Sequence, residues 1–506
     1  MTYIAVFDIG TSAIKGLLMT SDFEVRGEIS LPLATIHGSD GEMEQAPEDW
    51  WLGVKQISAY WWEKEGISAE EIQMISLCGQ MEDVIPMPSV EGAQPNAILY
   101  SDTRAKVEAE KLQERFPEIH SFSGNSIAPS TPLAKMIWLR ENAADVFSTT
   151  TCFLFSSKDY IVYKLTGEFV SDPVTCATTG MMDIRTKTWM AENVLNEVRI
   201  PIEMLPAIMY PHEVAGYLGP EAAVETGFRE GTPVLCGSGD AGATTMGAGA
   251  VREGDSYLYL GTTGWVAAST EEPIANNSGI FNLAHLPNEQ YIFIAPLLNV
   301  GNVHQWACQT FVDGAEAEGD SYAGFEEIVR QSKAGSNGLL FLPYLHGERC
   351  YIQDEDAKGA FWGITSKTNR TDFARAVVEG LCFSLRQTLE VLLKNQSGNV
   401  TLIGGGTKSA VWCQCLADIL GKTIKVPDDS QYLPAIGAAS SAFVELGWVG
   451  SYESFVDSLV NRVRVKEYQP ALENRELYQE LYEKFTRLYP NLKNVYVEAD
   501  SRLARV

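Results

Sequence analysis

The pattern of apolar and polar residues at the start of the chain predicts a β-hairpin. Residues 4–8 alternate as in a strand with one buried face, Gly10-Thr11-Ser12 forms a turn, and residues 14–18 alternate again. This is not the pattern of a strand followed by a helix. A similar segment, YLGTTGWVAAS, stands at 259–269, about half the chain further on. Two hairpins at corresponding places in two halves indicate an internal duplication.

Amphipathic helices follow the predicted strands. Residues 47–65 place Trp50 and Trp61 on one apolar face, which is typical of core packing, and residues 372–394 form a second long helix with a buried side. Strands mixed with amphipathic helices predict an α/β protein.

Composition and charge exclude several classes of partner. The 506 residues allow two or three domains. Acidic residues outnumber basic ones 66 to 38, and the net charge of −28 argues against nucleic acid and anionic membranes as partners. The nine cysteines are scattered without a CxxC, which predicts buried thiols in a cytoplasmic enzyme and argues against zinc. Neither a signal peptide nor a membrane segment is visible.

A glycine-rich stretch near the middle of the chain predicts the boundary between two lobes. CGSGDAGATTMGAGA occupies 236–250, between a buried strand and the charged sequence REGD. Small residues there suit a hinge or a close approach of two backbones. We therefore divide the chain into an N-terminal lobe, 1–245, and a C-terminal lobe, 246–506.

The first predicted turn combines an acid with phosphate-binding donors. Asp8 ends a strand just before Gly10-Thr11-Ser12, and Lys15 follows across the hairpin. Backbone N–H groups and hydroxyls suit phosphate oxygens, and the carboxylate fits beside them if a Mg²⁺ lies between. The alternative is a plain hairpin turn with an exposed aspartate.

Two later glycine clusters could complete a nucleotide site. Gly261-Thr262-Thr263-Gly264 repeats the donors of the first turn without its acid, so the two turns could hold a triphosphate from both sides. TLIGGGTKS at 401–409 runs from a strand through three glycines into a helix that begins near Ser409. Glycines without side chains would let an adenine ring lie against the backbone, whereas a tight turn alone needs one or two.

Asp240 lies among the glycines of the predicted hinge, where it could accept a proton from a substrate hydroxyl. Alternatively, Asp240 caps the following helix. The same stretch contains Gly237-x-Gly239-x-x-Gly242, with Asp255 further on, so an NAD-dependent dehydrogenase is a competing interpretation. An aspartate in that turn would repel a pyrophosphate. The chain has no GxxxxGK[ST], which excludes a P-loop.

Four segments carry a resemblance to a known family. STPLAKMIWLREN (130–142) and the segment from Gly359 to Gly380 resemble the two signatures of the FGGY carbohydrate kinases. LFSSKDYIVYKLTGEFVSD (154–172) and FLPYLHGER (341–349) are similar to the xylulose kinase branch of that family. The likeness extends from residue 3 to about residue 446.

The resemblance implies two ribonuclease-H-like lobes of the actin/hexokinase-like ATPase fold, with ATP and Mg²⁺ used to phosphorylate a small sugar. The resemblance is also compatible with a homodimer. Asp240 matches the general base and Asp8 the metal-linked acid. The sugar-contacting positions are Gln80, Met81, Glu82 and Asp102. The nucleotide-binding positions are Gly10, Thr11, Ser12, Lys15, Gly261, Thr262, Gly301, Gln305, Gly405 and Gly406.

The sequence departs from the family pattern at positions that the resemblance assigns to sugar binding. Glu82 stands where xylulose kinases have histidine, Met81 where glycerol kinases have arginine, and Ala241 where xylulose kinases have asparagine. Tyr100-Ser-Asp102 replaces a Trp-x-Asp motif. D-xylulose is the first candidate substrate, and gluconate, L-ribulose, L-fuculose and glycerol are alternatives. A catalytically silent actin-like nucleotide binder is a further alternative, against which the presence of both acids argues.

Overall fold

The computed structural model describes residues 1–39, 41–89, 94–190, 192–273, 279–312, 321–350, 352–393, 400–428, 430–462 and 464–503. Two large mixed sheets, each flanked by helices, form an α/β architecture. The predicted fold class is confirmed.

The first sheet is built from the N-terminal half of the chain. Its hairpin strands are antiparallel, and the first of them is parallel to a strand that follows a helix. In spatial order the strands are Val214–Tyr217, Pro233–Leu235, Ile72–Gly79, Tyr3–Ile9, Ala13–Met19 and Val25–Pro32, with Ser238–Gly239 also pairing to Ile72–Gly79.

The second sheet repeats this arrangement in the C-terminal half. Its hairpin strands are again antiparallel, and the first is again parallel to a strand from much later in the chain. The order is Phe281–Ala284, Tyr291–Leu297, Gly264–Thr270, Ser256–Leu260, Val400–Ile403, Ile424–Pro427 and Val465–Tyr468. Both predicted hairpins are present, at corresponding places in two sheets of matching order, as an internal duplication predicts.

Shorter strands pair outside the two large sheets. They are Ile36–His37, Met43–Gln45, Ala97–Ile98, Ile85–Pro88, Thr150–Leu154, Val170–Ser171, Ala207–Ile208, Met182–Asp183, Thr188–Trp189, Leu340–Leu342 and Ala360–Trp362.

The helices cover the faces of the sheets. The first predicted helix is Pro47–Glu63, with Trp50 and Trp61 fully buried, and the second is Arg370–Leu392. The predicted last residue of the second, Lys394, lies outside the described residues. The other α-helices are Lys106–Arg115, Ile119–Ser123, Pro132–Asn142, Ala144–Thr149, Ser157–Thr166, Pro173–Cys176, Glu192–Glu197, Pro220–Thr226, Asp240–Gly247, Gly301–Phe311, Ser321–Arg330, Ala410–Leu420, Leu433–Glu445, Tyr452–Val460 and Arg475–Leu503.

Two helices join the halves of the molecule. Leu433–Glu445, from the C-terminal half, packs on Asp240–Gly247 and on the first sheet, where Ser76 Oγ donates to the carbonyl of Ala438 at 2.7 Å. A Cβ added to Gly437 would lie only 1.8 Å from the carbonyl oxygen of Ala243. Glycine permits this close approach of two backbones, and the halves share one hydrophobic core there. The division at residue 245, inside Asp240–Gly247, stays a prediction.

Candidate active site

A cavity of about 280 Å³ lies between the two sheets. Its walls come from both halves of the chain. The N-terminal half contributes Thr11, Gln80, Met81, Glu82, Tyr100, Thr178, Asp240, Ala241 and Thr244, and the C-terminal half contributes Tyr257, Trp265, Phe281, Leu283 and Ile294. One wall is therefore mainly polar and the opposite wall mainly aromatic or aliphatic. We call this the smaller cavity.

Asp240 lies at the wall of the smaller cavity as the first residue of a helix. The strand Ser238–Gly239 ends directly before it, and Gly239 occupies the N-cap position. Burial and the negative charge of Asp8 raise the pKa of Asp240 to about 7, although the Ala241 N–H and Lys15 act in the opposite direction. A carboxylate that titrates near neutral pH is suited to accept a proton from a hydroxyl.

Gln80 reaches the smaller cavity as part of a hydrogen-bond network. Its Oε1 accepts from Thr11 Oγ1 at 2.9 Å, and its Nε2 donates to Gln45 Oε1 at 2.9 Å. Gln45 in turn donates to the carbonyl of Thr11 at 2.7 Å and accepts from the Trp50 indole at 3.0 Å. The network fixes the turn at Thr11 relative to the strand that ends at Gly79.

Glu82 brings a second carboxylate to the smaller cavity. Its φ of 61° is a left-handed conformation that is uncommon outside glycine and concentrates at functional sites. The buried Lys135 donates to the carbonyl of Glu82 at 2.8 Å and to that of Leu99 at 2.7 Å, which holds the segment. Burial raises the pKa of Glu82 to about 7, against the attraction of Lys135. Among the described residues lining the cavity, Glu82 and Asp240 are the charged ones.

Asp102 is the predicted sugar contact that the structure does not bring to the smaller cavity. Its side chain is fully buried and accepts from the Met43 N–H at 2.7 Å and from Arg104 Nη2 at 2.7 Å. The carboxylate is thus committed to a buried ion pair. Tyr100, two residues earlier, lines the cavity instead.

The first predicted turn contributes Thr11 to the smaller cavity, while its charged residues pair beside it. Lys15 Nζ lies 3.3 Å from Asp8 Oδ2 across the hairpin, and Asp8 is only 3% exposed. Burial raises the pKa of Asp8, and Lys15 opposes that shift. Gly10 and Ser12 complete the turn between the strands, and neither they nor the ion pair lines a cavity described here.

A larger cavity of about 690 Å³ lies in the C-terminal half. It brings together six of the residues predicted to bind a nucleotide: Gly261, Thr262, Gly301, Gln305, Gly405 and Gly406. The rest of its lining is Tyr259, Leu260, His304, Tyr322, Ala323, Glu326, Lys408, Ser409 and Trp412. Both its volume and its mixture of glycines, aromatic rings and one lysine suit a nucleotide.

The second predicted turn is fixed by the helix Gly301–Phe311. The Gly301 N–H donates to the carbonyl of Gly261 at 3.0 Å, and the Asn302 N–H donates to that of Thr262 at 2.8 Å. A Cβ on Gly301 would lie 2.1 Å from the Gly261 carbonyl oxygen, so glycine is needed for this contact. The turn and the start of the helix therefore form one rigid edge of the larger cavity.

The three-glycine cluster forms the opposite edge. Gly404 has φ 93°, and a Cβ there would meet the Leu260 carbonyl oxygen at 2.7 Å. The chain then forms a short 3₁₀ turn, Gly405–Lys408, before Ser409 caps the helix Ala410–Leu420 through the Trp412 N–H. The predicted strand, glycine turn and helix start are all present.

A stacked aromatic pair separates the two cavities. The rings of Tyr259 and Trp265 lie 4.0 Å apart between centroids and are inclined by 12°. Tyr259 lines the larger cavity and Trp265 the smaller. The sequence prediction missed both rings. The sequence does carry a signal for them: Tyr259 and Trp265 flank the turn Gly261–Gly264, so a hairpin there would pair them across its two strands.

The dinucleotide fingerprint is used for packing rather than for an open site. Gly237, Gly239 and Gly242 are all buried, and a Cβ on Gly237 would lie 2.2 Å from the Leu77 carbonyl oxygen. The helix that follows is covered by Leu433–Glu445. A pyrophosphate has no access to these backbone groups.

Other predicted features concern thiols, metals and membranes. All nine cysteines are buried and lie outside disulfide bonds. In the described ranges, three or more His, Cys, Asp or Glu side chains do not come together as a metal cluster. None of the described helices combines the length and apolar character needed to cross a bilayer.

Comparison with known proteins extends over nearly the whole chain. Residues 3–247 match the model of the N-terminal domain of the FGGY family of carbohydrate kinases, and residues 256–446 match that of its C-terminal domain. The xylulose kinase of Bacillus subtilis (strain 168) is 29% identical over 502 residues, which cover 98% of each chain.

Solved structures agree with this likeness. Ligand-bound xylulose kinase from Lactobacillus acidophilus matches with a TM-score of 0.87 at 28% identity, covering 98% of this chain and 100% of that one. Gluconate kinase from the same organism matches with a TM-score of 0.88 at 28% identity, covering 98% and 99%. Structures named for different sugars thus resemble this chain about equally well, and the likeness alone does not identify the sugar.

Proposed function

Because this chain belongs to the FGGY family of carbohydrate kinases and is an ATP-dependent sugar kinase, we propose that its acceptor is a neutral ketose or polyol, with D-xylulose as the first candidate. The observation that carries the proposal is the charge of the smaller cavity. Its described lining holds two carboxylates, Glu82 and Asp240, and no lysine, arginine or histidine.

This charge pattern favours hydroxyl groups over a carboxylate on the sugar. Ionised Glu82 and Asp240 accept hydrogen bonds from hydroxyls, whereas the carboxylate of gluconate would meet like charge in a partly desolvated site. Xylulose is preferred among neutral sugars because several relatives are named xylulose kinases. Gluconate is the second candidate, because another relative is named gluconokinase, and the same charges disfavour it.

The division of the two cavities supports the assignment of the substrates. We assign the sugar to the smaller cavity, where Asp240 accepts the proton of the attacking hydroxyl. We assign ATP to the larger cavity, between the Gly261–Thr262 turn and Gly405–Gly406. We propose that the first turn binds the terminal phosphate through Gly10, Thr11, Ser12 and Lys15.

Asp8 is the residue proposed to hold Mg²⁺. Mg²⁺ retains several waters and commonly takes one or two carboxylates plus phosphate oxygens, so a single acid beside a donor-rich turn fits it. Lys15, at 3.3 Å, favours the ionised form of Asp8 and opposes the rise in its pKa that burial causes. When bound, the metal supplies charge neutralisation for the phosphates.

Location and assembly are further parts of the proposal. We place the enzyme in the cytoplasm because its nine cysteines are buried and outside disulfides, as is usual in a reducing compartment. A homodimer stays a prediction, to be checked by light scattering.

The proposal is tested by measuring ADP release with D-xylulose, L-ribulose, L-fuculose, glycerol and gluconate. We expect kcat/KM for a neutral sugar to exceed that for gluconate by at least about tenfold, because juxtaposed like charges cost several kcal/mol. Asp240→Asn serves as the control and should lower kcat by about 10²- to 10⁴-fold with nucleotide binding retained. Gluconate as the best substrate would contradict the assignment, and so would an active Asp240→Asn enzyme.

A further inference from the structure

The segment LFSSKDYIVYKLTGEFVSD contributes no residue to either cavity, yet it carries a fully buried cluster of charges. Lys158, Asp159 and Asp172 are each 0% exposed. Lys158 Nζ lies 2.5 Å from Asp159 Oδ1 and 3.0 Å from Asp172 Oδ2. We call these three residues the buried triad. Burying three charges is costly unless each is paired, so the arrangement calls for an explanation beyond packing.

The two carboxylates of the buried triad have different partners. Asp159 accepts from the Phe155 N–H at 3.2 Å and from Ser171 Oγ at 2.8 Å, both within its own segment. Asp172 instead reaches the site. Its Oδ2 accepts from the Gly239 N–H at 3.2 Å, across 67 residues of sequence. Gly239 is the residue immediately before Asp240.

Asp172 also holds the short segment that precedes Thr178, another residue lining the smaller cavity. Its Oδ1 accepts from the Val174 N–H at 3.0 Å and caps the helix Pro173–Cys176, and its Oδ2 accepts from Thr175 Oγ1 at 2.7 Å. Thr178, just beyond this helix, lines the smaller cavity. One carboxylate therefore ties together two segments of the cavity wall.

The peptide at Gly239 has little room to move apart from this anchor. A Cβ there would lie 2.5 Å from Met81 Sδ and 2.9 Å from Thr175 Oγ1. The backbone is thus held by packing on one side and by the Asp172 hydrogen bond on the other. Because Asp240 begins its helix at the next residue, the direction of its carboxylate follows from the position of this peptide.

We propose that Asp172 is a positioning residue for phosphoryl transfer, which holds the Gly239 peptide so that Asp240 points into the smaller cavity, while Lys158 and Thr175 hold Asp172. The inference rests on the proposed function, since it takes Asp240 as the proton acceptor. It gives a role to a motif that touches neither substrate site.

The test compares two chemically identical changes within the buried triad. Asp172→Asn keeps an oxygen to cap the helix but places an amide where the Gly239 N–H needs an acceptor. Asp159→Asn removes the same charge from the same cluster without touching Gly239. We expect Asp172→Asn to lower kcat on the order of 10²-fold, because a misplaced catalytic group costs that much, with the KM for ATP within about twofold of the parent. Asp159→Asn should keep kcat within about threefold.

A second, isosteric pair keeps the proposal testable if Asp172→Asn does not fold. Thr175→Val removes the hydroxyl that orients Asp172 Oδ2 and leaves the charges intact. Thr175→Ser is its control, because serine keeps a hydroxyl at that position. We expect kcat to fall by about fivefold to tenfold in Thr175→Val, because one hydrogen bond is lost, and to stay near the parent value in Thr175→Ser, because that bond is kept.

The possible outcomes separate this inference from the function on which it rests. If Asp240→Asn keeps its kcat, the proposed function fails whatever the triad variants do. If Asp240→Asn is inactive while Asp172→Asn and Asp159→Asn lose kcat equally, the buried triad is only structural and the positioning role is overturned. The same follows if Thr175→Val and Thr175→Ser are equally active.

Discussion

Trp265 stacks on Tyr259 with ring centroids 4.0 Å apart, so that a single aromatic pair forms part of the wall of both cavities. The two rings lie on neighbouring antiparallel strands at directly paired positions. A cross-strand aromatic pair of this kind is stabilising by itself, and here it also joins the proposed sugar site to the proposed nucleotide site.

Trp265→Ala should therefore weaken the binding of both the sugar and ATP. Loss of a stacked pair costs about 0.5–1.5 kcal/mol, which corresponds to a rise of roughly twofold to tenfold in the KM for the sugar and in that for ATP. Trp265→Phe keeps a ring on Tyr259 and should change either KM by less than about threefold. Initial rates measured at varied sugar and varied ATP check this. A Trp265→Ala enzyme with both KM values of the parent would show that the stack does not join the two sites.

The pH dependence of turnover follows from Asp240. Its pKa is raised to about 7, and only the ionised form accepts a proton, so activity is lost as the pH falls through that value. Glu82, with a pKa also raised to about 7, titrates in the same range. We expect log(kcat/KM) for the sugar to decline below pH 7 with a slope between one and two.

Glu82→Gln separates the two carboxylates in that experiment. The variant removes one titrating group, so the slope on the acid side should approach one while the decline itself remains. A parent enzyme whose kcat/KM stays constant from pH 8 to pH 5.5 would contradict a pKa near 7 for an essential Asp240 carboxylate.

The metal dependence should respond to Asp8. Asp8→Ala removes the proposed carboxylate ligand, and we expect the Mg²⁺ concentration for half-maximal nucleotide binding to rise on the order of tenfold. Asp8→Asn tests the charge alone, because it keeps the size of the side chain, and it should show a similar rise. Binding of a fluorescent ATP analogue across a Mg²⁺ titration measures both. An Asp8→Ala curve that overlays the parent curve would remove Asp8 from the metal site.

Local patterns were enough to predict the two hairpins and the two glycine turns that line the larger cavity. Strand alternation and the Gly-Thr turns are encoded within about fifteen residues, so both hairpins follow from the sequence. The cluster at Gly405 and Gly406 was equally visible, because a strand, several glycines and a helix start stand side by side.

Features that depend on distant partners could not be predicted in this way. The family resemblance indicates Asp102 as a sugar contact, and only the three-dimensional fold shows that the Met43 N–H and Arg104 occupy its oxygens. The segment Leu433–Glu445 indicates an apolar helix, but nothing local says that it packs against the first sheet of the molecule. Its glycine, Gly437, shows why that contact is so close.

Gly437→Ala should destabilise the protein, even though alanine is the better helix former. In an exposed helix the change would stabilise by about 1 kcal/mol, but here the new Cβ would lie 1.8 Å from the Ala243 carbonyl oxygen, a backbone atom that cannot rotate away. Overpacking of this kind costs about 1–3 kcal/mol, so the clash decides the sign. Gly450→Ala is the control, because a Cβ at Gly450 meets nothing within 4 Å. Thermal unfolding should show a lower apparent Tm for Gly437→Ala and a nearly unchanged one for Gly450→Ala. A Tm for Gly437→Ala at or above that of the parent would mean that the two helices separate at little cost, and hence that the join between the halves is loose rather than rigid.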